Sequence, residues 1–195
     1  MLVLTKKLFF IFKIFFLYQL SISICLADLQ KDIINKLTAT QTLTFNFKQK
    51  ISDKEERGNC FIKYPLLMKC NYKNLKEKTI ISNGKTLAIV KKKYKKIYLY
   101  PIKSTPLFFI LKKEKIINLV RNTKTIKINS DLIEFIFIDK KKNKVKILFD
   151  KNSFEFKGWE TKDAYSNKVS FEINNLIINN QIVDDFFKIP QEKDL

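Results

Sequence analysis

The feature that most constrains the fold is a pair of apolar arms joined by a proline, at residues 58–72. Apolar side chains take alternate positions on both arms: Cys60, Ile62 and Tyr64 on the first, then Met68, Cys70 and Tyr72 on the second. A period of two puts each set on one face of a sheet. Pro65 suits the turn between the arms, because it fixes φ and has no N–H to give to a neighbouring strand. The stretch therefore predicts a β-hairpin with one apolar face.

Most of the remaining chain repeats this short alternation. It predicts further strands at residues 42–50, a strand pair at 79–90, and strands at 94–100, 125–129, 132–139, 144–150, 154–162, 168–174 and 176–183. Asn83-Gly84 marks a hairpin turn, while residues 53–56 and 184–190 predict polar and terminal turns. Because alternate positions are polar, we expect antiparallel strands with one face toward water. A chain of 195 residues is long enough for one domain with a real core.

Helical segments interrupt the strand pattern at two places. Residues 28–39 carry apolar side chains at helical spacing. In the second segment, Thr105 predicts an N-cap and Pro106 the first helical position, ahead of the apolar run at 107–111. A further short helix is expected around residues 116–120. An insert this apolar can fill the core of the sheet, and it can form a mobile lid. The two interpretations are compatible.

Residues 1–27 are similar to a secretory signal peptide. Lys6 and Lys7 precede a run rich in Phe, Ile and Leu, and the segment ends in Cys25-Leu26-Ala27. We expect cleavage after Ala27, which leaves residues 28–195 as the single domain of an exported protein. Two alternatives stay open. The segment is retained as an anchor, since its apolar part is about as long as a membrane span, or Cys25 carries a lipid.

Cleavage after Ala27 would leave Cys60 and Cys70 as the cysteines of the mature chain. A turn centred on Pro65 places them opposite each other on neighbouring strands, and an oxidising compartment favours a disulfide in such a pair. The alternative is that both are small apolar residues on one face of the sheet. The sequence leaves both interpretations open.

Residue types that carry out catalysis are scarce. The chain has no histidine, the commonest general base and metal ligand, and it has neither a glycine-rich phosphate loop nor a nucleophile elbow. Asp150, Asp163, Asp184 and Asp185 suit turns and caps, and no recognisable acid–base partner lies near them in sequence. We therefore expect a binding protein rather than an enzyme, with no metal and no other cofactor.

The formal net charge of +19 favours an anionic partner, or it reflects a solvated, lysine-rich surface. Only two of the 38 basic residues are arginine, the residue best suited to bidentate contacts with phosphates and bases. We therefore expect no nucleic-acid partner, while contact with anionic lipid stays open.

Six short motifs follow one another along the chain: Phe47-Lys48-Gln49, Gly58 with Tyr64-Pro65-Leu66-Leu67-Met68-Lys69, residues 80–87, Thr105-Pro106-Leu107, residues 163–169 and residues 186–190. Each motif is short, but their order and spacing together resemble the periplasmic outer-membrane lipoprotein carriers, the LolA-like family. The resemblance covers residues 29–190.

The resemblance implies an α+β, mainly β fold: an incomplete antiparallel β-barrel, or curved sheet, with short helices forming a lid over its concave face. It implies a monomeric periplasmic carrier that binds lipoprotein acyl chains in a hydrophobic cavity and shuttles lipoproteins from the inner to the outer membrane. The partners would be acylated lipoproteins, an ABC-type exporter in the inner membrane and, in many lineages, an outer-membrane receptor.

The cavity is expected to be lined by side chains of the strands: Leu43, Phe45, Phe47, Ile62, Met68, Cys70, Ile147 and Phe149. Leu107, Phe108 and Leu111 would cover it when it is empty and swing aside when it is loaded. Members of the family usually carry Arg immediately before the hairpin proline, where it helps to hold the lid closed. Tyr64 takes that position here. Its hydroxyl can hydrogen-bond to the lid backbone but brings no charge, so the role of Tyr64 in holding the lid closed stays open.

Two other functions stay open. A basic periplasmic protein would bind anionic lipid surfaces through its lysines, with vesicle binding that collapses at high salt. A sensor domain of the same fold would bind lipoprotein as a signal and would need an anchor, which residues 1–27 would have to supply.

Overall fold

The computed structural model describes residues 28–73, 77–123, 126–138, 144–162 and 166–195. The expected signal peptide and its cleavage site lie outside these residues. So do the predicted strand ends at Thr125 and Asp139, and residues 163–165 with Asp163.

Eleven antiparallel strands form one sheet in the described residues: β1 (Thr42–Ile51), β2 (Lys54–Lys63), β3 (Leu67–Tyr72), β4 (Lys78–Asn83), β5 (Thr86–Lys91), β6 (Lys96–Pro101), β7 (Ile126–Ile128), β8 (Leu132–Ile138), β9 (Lys144–Asp150), β10 (Phe156–Lys162) and β11 (Lys168–Ile178). The order across the sheet is β6-β5-β4-β3-β2-β1-β11-β10-β9-β8-β7, so β6 and β7 are the edges and the curved sheet stays open. The α-helices of the described residues are α1 (residues 28–39), α2 (Leu107–Leu111) and α3 (Lys113–Asn122). The predicted α+β, mainly β fold with an incomplete antiparallel barrel is confirmed.

Alternating burial separates the two faces of the sheet. On β1, Leu43, Phe45 and Phe47 are each 2% exposed, whereas Asn46 between them is exposed. The buried side chains pack against apolar residues of the three helices in one core cluster. We call this helix-covered face the inner face, and the opposite one the outer face. Burial of apolar area, worth about 25 cal/mol per Å², therefore fixes which residues point inward.

One predicted strand break is in fact a β-bulge. The alternation in the sequence predicts one strand that ends at Asn174 and another that begins at Leu176, but β11 continues through both positions and stops at Ile178. Asn175 and Leu176 together oppose the single residue Phe45 of β1, and Asn175 has a φ of 51°. Asparagine tolerates this left-handed conformation better than most residues, so the extra residue is absorbed without ending the strand.

Two smaller predictions are wrong at the ends of segments. The polar turn predicted at residues 53–56 is shorter, because β2 already begins at Lys54. Glu55 therefore lies within β2, where its carboxylate forms a 3.4 Å ion pair with Lys48 of β1. Thr105 does not cap α2, which begins one residue later than predicted. The Thr105 hydroxyl instead donates to the Ile102 carbonyl oxygen (2.9 Å) in the preceding 3-10 turn.

Helices α1 and α3 are joined at both ends by side-chain hydrogen bonds. Near the start of α1, the Gln30 amide donates to the carbonyl oxygen of Val120 (2.7 Å) near the end of α3. Near the start of α3, the Lys113 ammonium donates to the carbonyl oxygen of Thr40 (2.7 Å), just after α1 ends. The helices therefore run in opposite directions as one unit. Within the described residues, no helix has both the length and the apolar character needed to cross a membrane.

The last residues of the chain, 184–195, lie on the outer face and are called the C-terminal segment. Phe187 in its 3-10 turn is 1% exposed, and this turn contacts β3 and β4. The Lys63 ammonium forms a 2.6 Å ion pair with Asp184 where the segment begins. Near its end, the Glu192 carboxylate accepts a hydrogen bond from the Ile97 N–H of β6 (3.0 Å). The segment therefore spans the outer face from β2 to β6.

Candidate functional site

The candidate site is the part of the inner face over which α2 lies. Strand register places Phe45 opposite Cys60, Cys60 opposite Cys70, and Cys70 opposite Ile80, in one row across β1 to β4. Helix α2 is tied to the hairpin turn by a backbone hydrogen bond from the Leu66 N–H to the Leu111 carbonyl oxygen (2.9 Å). The short apolar helix is thus held directly against the sheet.

All eight predicted lining residues point into the core. Each is at most 3% exposed: Leu43, Phe45, Phe47, Ile62, Met68, Cys70, Ile147 and Phe149. Of the predicted lid residues, Leu111 is fully buried, whereas Leu107 and Phe108 are partly buried and pack against the same cluster. The structure therefore brings the predicted strand and helix residues together in a closed, well-filled arrangement.

Two small spaces remain on either side of α2. The smaller, about 20 Å³, lies between α2 and the hairpin and is lined by Cys60, Ile62, Met68, Cys70, Tyr72, Ile80, Leu107, Ile110, Trp159 and Phe171. The larger, about 100 Å³, is lined by Pro106, Leu107, Phe109, Ile110, Phe137, Val145, Trp159 and Thr161. Leu107, Ile110 and Trp159 line both spaces. Small-molecule sites usually measure about 300–1,000 Å³, so a long ligand fits here only if α2 moves away and the spaces join.

The predicted residues differ in how close they lie to these spaces. Ile62, Met68, Cys70 and Leu107 line them directly. Leu43 instead borders a separate gap of about 10 Å³ beside Tyr64. Neither space is lined by the remaining predicted residues, Phe45, Phe47, Ile147 and Phe149 of the strands and Phe108 and Leu111 of the lid.

Trp159 and Phe171 line the smaller space and are functional candidates that were not predicted from the sequence. Their rings stack at 4.1 Å between centroids with an angle of 9°, and the Phe156 ring stacks on Trp159 at 6.0 Å with the same angle. Phe156 and Trp159 both face inward although they are three residues apart, because a bulge at Gly158 shifts the register of β10. A side chain at Gly158 would collide with the Phe171 carbonyl oxygen. An isolated glycine beside an aromatic was the available signal for this bulge.

The Tyr64 hydroxyl does not form a hydrogen bond to the lid backbone, the possibility that its position next to Pro65 left open. Its hydroxyl is buried and has no hydrogen-bond partner among the described residues. Burial raises the pKa of the Tyr64 phenol well above its usual value, and the nearby negative charge of Glu114 raises it further. The Lys113 ammonium lies 5.7 Å from the centre of the Tyr64 ring. Contact between hairpin and lid therefore relies on the Leu66–Leu111 backbone bond and on packing of the ring.

Cys60 and Cys70 form a disulfide in the structure, between two directly opposed positions of β2 and β3. Both cysteines line the smaller space beside α2. The bond joins the arms of the hairpin at the floor of the site, so the two arms cannot separate when α2 is displaced.

A comparison with protein families gives one match, to the family described as outer membrane lipoprotein carrier protein LolA, over residues 38–190. This range includes all eleven strands, α2 and α3. The chain belongs to the LolA family. A comparison with curated protein sequences found no match.

Several solved structures are similar to this LolA-family chain at low sequence identity. An uncharacterized conserved protein from Thermus thermophilus has a TM-score of 0.54 and 7% identity, over 84% of this chain and 94% of its own. A LolA superfamily protein from Nitrosomonas europaea has a TM-score of 0.46 and 9% identity, over 84% and 97%. A putative outer membrane lipoprotein-sorting protein domain from Vibrio parahaemolyticus has a TM-score of 0.44 and 11% identity, over 80% and 94%.

The inner face of this LolA-family chain is chemically suited to apolar groups. Besides the indole N–H of Trp159, the polar groups that line the two spaces are the hydroxyls of Thr161 and of Tyr72, which donates to the Gln49 amide oxygen (2.7 Å). No carboxylate or lysine is among the lining residues of either space. A surface of this composition can pack against an alkyl chain through apolar contacts and offers few hydrogen-bonding groups.

Proposed function

We propose that this protein is a periplasmic carrier that binds the acyl chains of lipoproteins on its inner face and shuttles lipoproteins from the inner to the outer membrane. It acts as a monomer without a cofactor, once its signal peptide has been cleaved after Ala27. It takes its cargo from an ABC-type exporter of the inner membrane and delivers it to an outer-membrane receptor where one exists. Membership of the LolA family supports this role. The observation that carries it is that α2 fills an apolar face and leaves space on both of its sides.

Helix α2 gives the carrier a way to release what it binds. Each buried methylene is worth about 0.8 kcal/mol, so a fully buried chain of about 16 carbons would be held by about 12 kcal/mol. Leu107 and Ile110 cover the same apolar surface when no ligand is bound. The ligand must displace them, and the free energy of this displacement is subtracted from the binding free energy. Binding stays reversible for this reason.

Binding without catalysis is the mode of action that the site supports. Cys60 and Cys70, which lie next to the smaller space, are joined in a disulfide and offer no thiolate. The remaining lining is aliphatic, aromatic or weakly polar, so it holds no general base for an acyl substrate.

Trp159 is the only tryptophan of the chain and lines both spaces, so it reports on ligand binding without a label. We expect a diacylated lipopeptide with bromine atoms on its acyl chains to quench Trp159 fluorescence at saturation. The same peptide without acyl chains is the matched control and should leave the emission unchanged. Quenching should persist at high salt, because apolar burial is not screened.

If the brominated lipopeptide leaves the Trp159 emission of the folded protein unchanged, acyl chains do not bind on the inner face. Quenching by the lipopeptide combined with failure to release lipoprotein from inner-membrane vesicles would instead keep acyl-chain binding and remove the shuttle role.

A further inference from the structure

The edge strand β6 exposes an unusual number of large apolar side chains. Tyr98, Leu99 and Tyr100 on the strand are 44%, 60% and 43% exposed, and Tyr94 in the preceding turn is 51% exposed. Single exposed apolar residues need no explanation, but a contiguous group of them on one edge does. We call these four residues together with the lysines of the adjoining turn the β6 edge surface.

The lysines of this surface are Lys91, Lys92, Lys93, Lys95 and Lys96, which lie at the tip of the β5–β6 hairpin. Lys91 and Lys96 stand directly opposite each other on the two strands. Like charges in opposed positions destabilise a sheet, and none of the five lysines has a salt bridge among the described residues. Lys91 lies over the Tyr98 ring, with 5.0 Å between its ammonium nitrogen and the ring centre. The tip is therefore a compact positive group without an ion-pair partner in the described part of the chain.

Addition of another strand to β6 is hindered by the edge itself. The Ile97 N–H, which points away from β5, is already bonded to the Glu192 carboxylate (3.0 Å). Pro101, which the alternation places on the same side, has no N–H. Leu99 alone keeps an outward N–H in the strand. Lysines and proline on an edge are the usual means of preventing strand pairing, so a peptide strand or a second copy is a poor occupant.

We propose that the β6 edge surface docks on an anionic lipid bilayer. Tyrosine combines an apolar ring with a polar tip and is favoured at the level of lipid headgroups. Lysines adjoining such residues are attracted to lipid phosphates and to the negative surface potential. The sequence from Lys78 to Lys113 contains no Asp or Glu, and the Glu192 carboxylate accepts a hydrogen bond from the strand. Charge complementarity thus favours an anionic bilayer over other occupants.

The β6 edge surface leads into the candidate site. Its use as an entry route for acyl chains rests on the proposed function. Register continues the inner-face row from Cys70 to Ile80, from Ile80 to Ile89 and from Ile89 to Tyr98. Exposure increases along this row: Cys70 is buried, Ile80 and Ile89 are half-buried, and Tyr98 is exposed. An acyl chain leaving the bilayer at the β6 edge would meet a continuous apolar path to the space beside α2.

The test is co-sedimentation of the exported protein with vesicles of phosphatidylglycerol and phosphatidylethanolamine, compared with neutral phosphatidylcholine vesicles. We expect strong binding to the anionic vesicles at low salt and loss of most binding above roughly 0.5 M salt. The variant Lys93→Glu/Lys95→Glu/Lys96→Glu should weaken partitioning to anionic vesicles by at least about 30-fold. The control variant Lys50→Glu/Lys127→Glu/Lys151→Glu makes the same change in net charge at exposed positions away from the tip and should weaken it only a few-fold. All variants share one N-terminus, so residues 1–27, if retained, add a constant background.

Equal losses in the two triple variants would overturn the proposal, because binding would then follow net charge alone. The proposal would also be overturned if the protein formed a dimer that dissociated on Leu99→Pro, since β6 would then pair with a second copy of the chain. Quenching of Trp159 by the brominated lipopeptide in solution should be the same in the tip variant as in wild type, which separates docking from acyl-chain binding. A protein that docks but shows no quenching would refute the carrier and leave the docking surface standing.

Discussion

Tyr72, which is buried, and Tyr64, which is half-buried with a buried hydroxyl, differ in one respect that decides what their hydroxyls contribute. Tyr72 donates to the Gln49 amide oxygen at 2.7 Å, whereas the buried Tyr64 hydroxyl has no partner among the described residues. Burial raises the pKa of both phenols well above the usual value. A buried polar group without a hydrogen bond costs about 1–3 kcal/mol, while a satisfied one contributes about 1 kcal/mol. The Tyr64 hydroxyl therefore destabilises the arrangement in which α2 lies on the sheet, although the Tyr64 ring helps to pack it.

Removal of the two hydroxyls should change stability in opposite directions. Tyr64→Phe keeps the ring and removes the unpaired hydroxyl, so we expect the free energy of unfolding to rise by about 1 kcal/mol. Tyr72→Phe breaks a hydrogen bond and leaves Gln49 without its donor, so a fall of about 1 kcal/mol is expected. Urea denaturation of both variants under identical conditions provides the comparison. A decrease for Tyr64→Phe would mean that its hydroxyl is satisfied in solution.

At the scale of single elements, the sequence predicted what depends on simple alternation. Strands β1 and β9 were predicted to within one residue, because their inward and outward positions alternate without a break. The bulges at Asn175 and Gly158 were not predictable in this way, since each shifts the period inside a strand through backbone torsions that many sequences can adopt. The second bulge also conceals Trp159, which explains why the site prediction found the hairpin side and missed the opposite wall.

Helix α2 is too short to be stable by itself, so its position depends on the apolar contacts it makes. Isolated helices of fewer than about 12 residues are marginal in water, and α2 has five residues. Its anchors are the Leu66–Leu111 backbone bond and the side chains of Leu107 and Ile110. An element held in this way can leave its site as a unit when a competing apolar ligand arrives.

Truncation of one anchor of α2 should strengthen ligand binding. Leu107→Ala removes part of the surface that competes with the acyl chain, and for a half-buried leucine we expect about 1 kcal/mol less competition. Affinity for the brominated lipopeptide, measured by Trp159 quenching, should then increase about five-fold. Leu119→Ala is the matched control: Leu119 is also half-buried and packs against the core, but from α3 and without lining either space. Equal effects of both substitutions would show that general loosening, rather than release of α2, changes the affinity.

The whole molecule is an open sheet whose two halves meet where β1 pairs with both β2 and β11. The half from β2 to β6 carries the hairpin of the site, and its outer face is covered by the C-terminal segment. Phe187 is buried there, and a small outer cluster forms from Ile81, Ala88 and Val90 with Ile189 and Leu195. Since an open sheet has no closing strand pair, this segment replaces part of the support that closure would give.

Loss of the Phe187 side chain should therefore loosen one half of the sheet more than the other. Phe187→Ala opens a cavity under the C-terminal segment and is expected to lower the free energy of unfolding by about 3 kcal/mol. Val183→Ala, at a position that is 69% exposed, should change it by less than about 0.5 kcal/mol. Hydrogen exchange measured peptide by peptide should show faster exchange in β4–β6 of the Phe187 variant, with little change in β9–β11. Uniform acceleration across all strands would mean that the sheet opens as one cooperative unit. It would also mean that the path from the β6 edge to α2 cannot loosen without global unfolding.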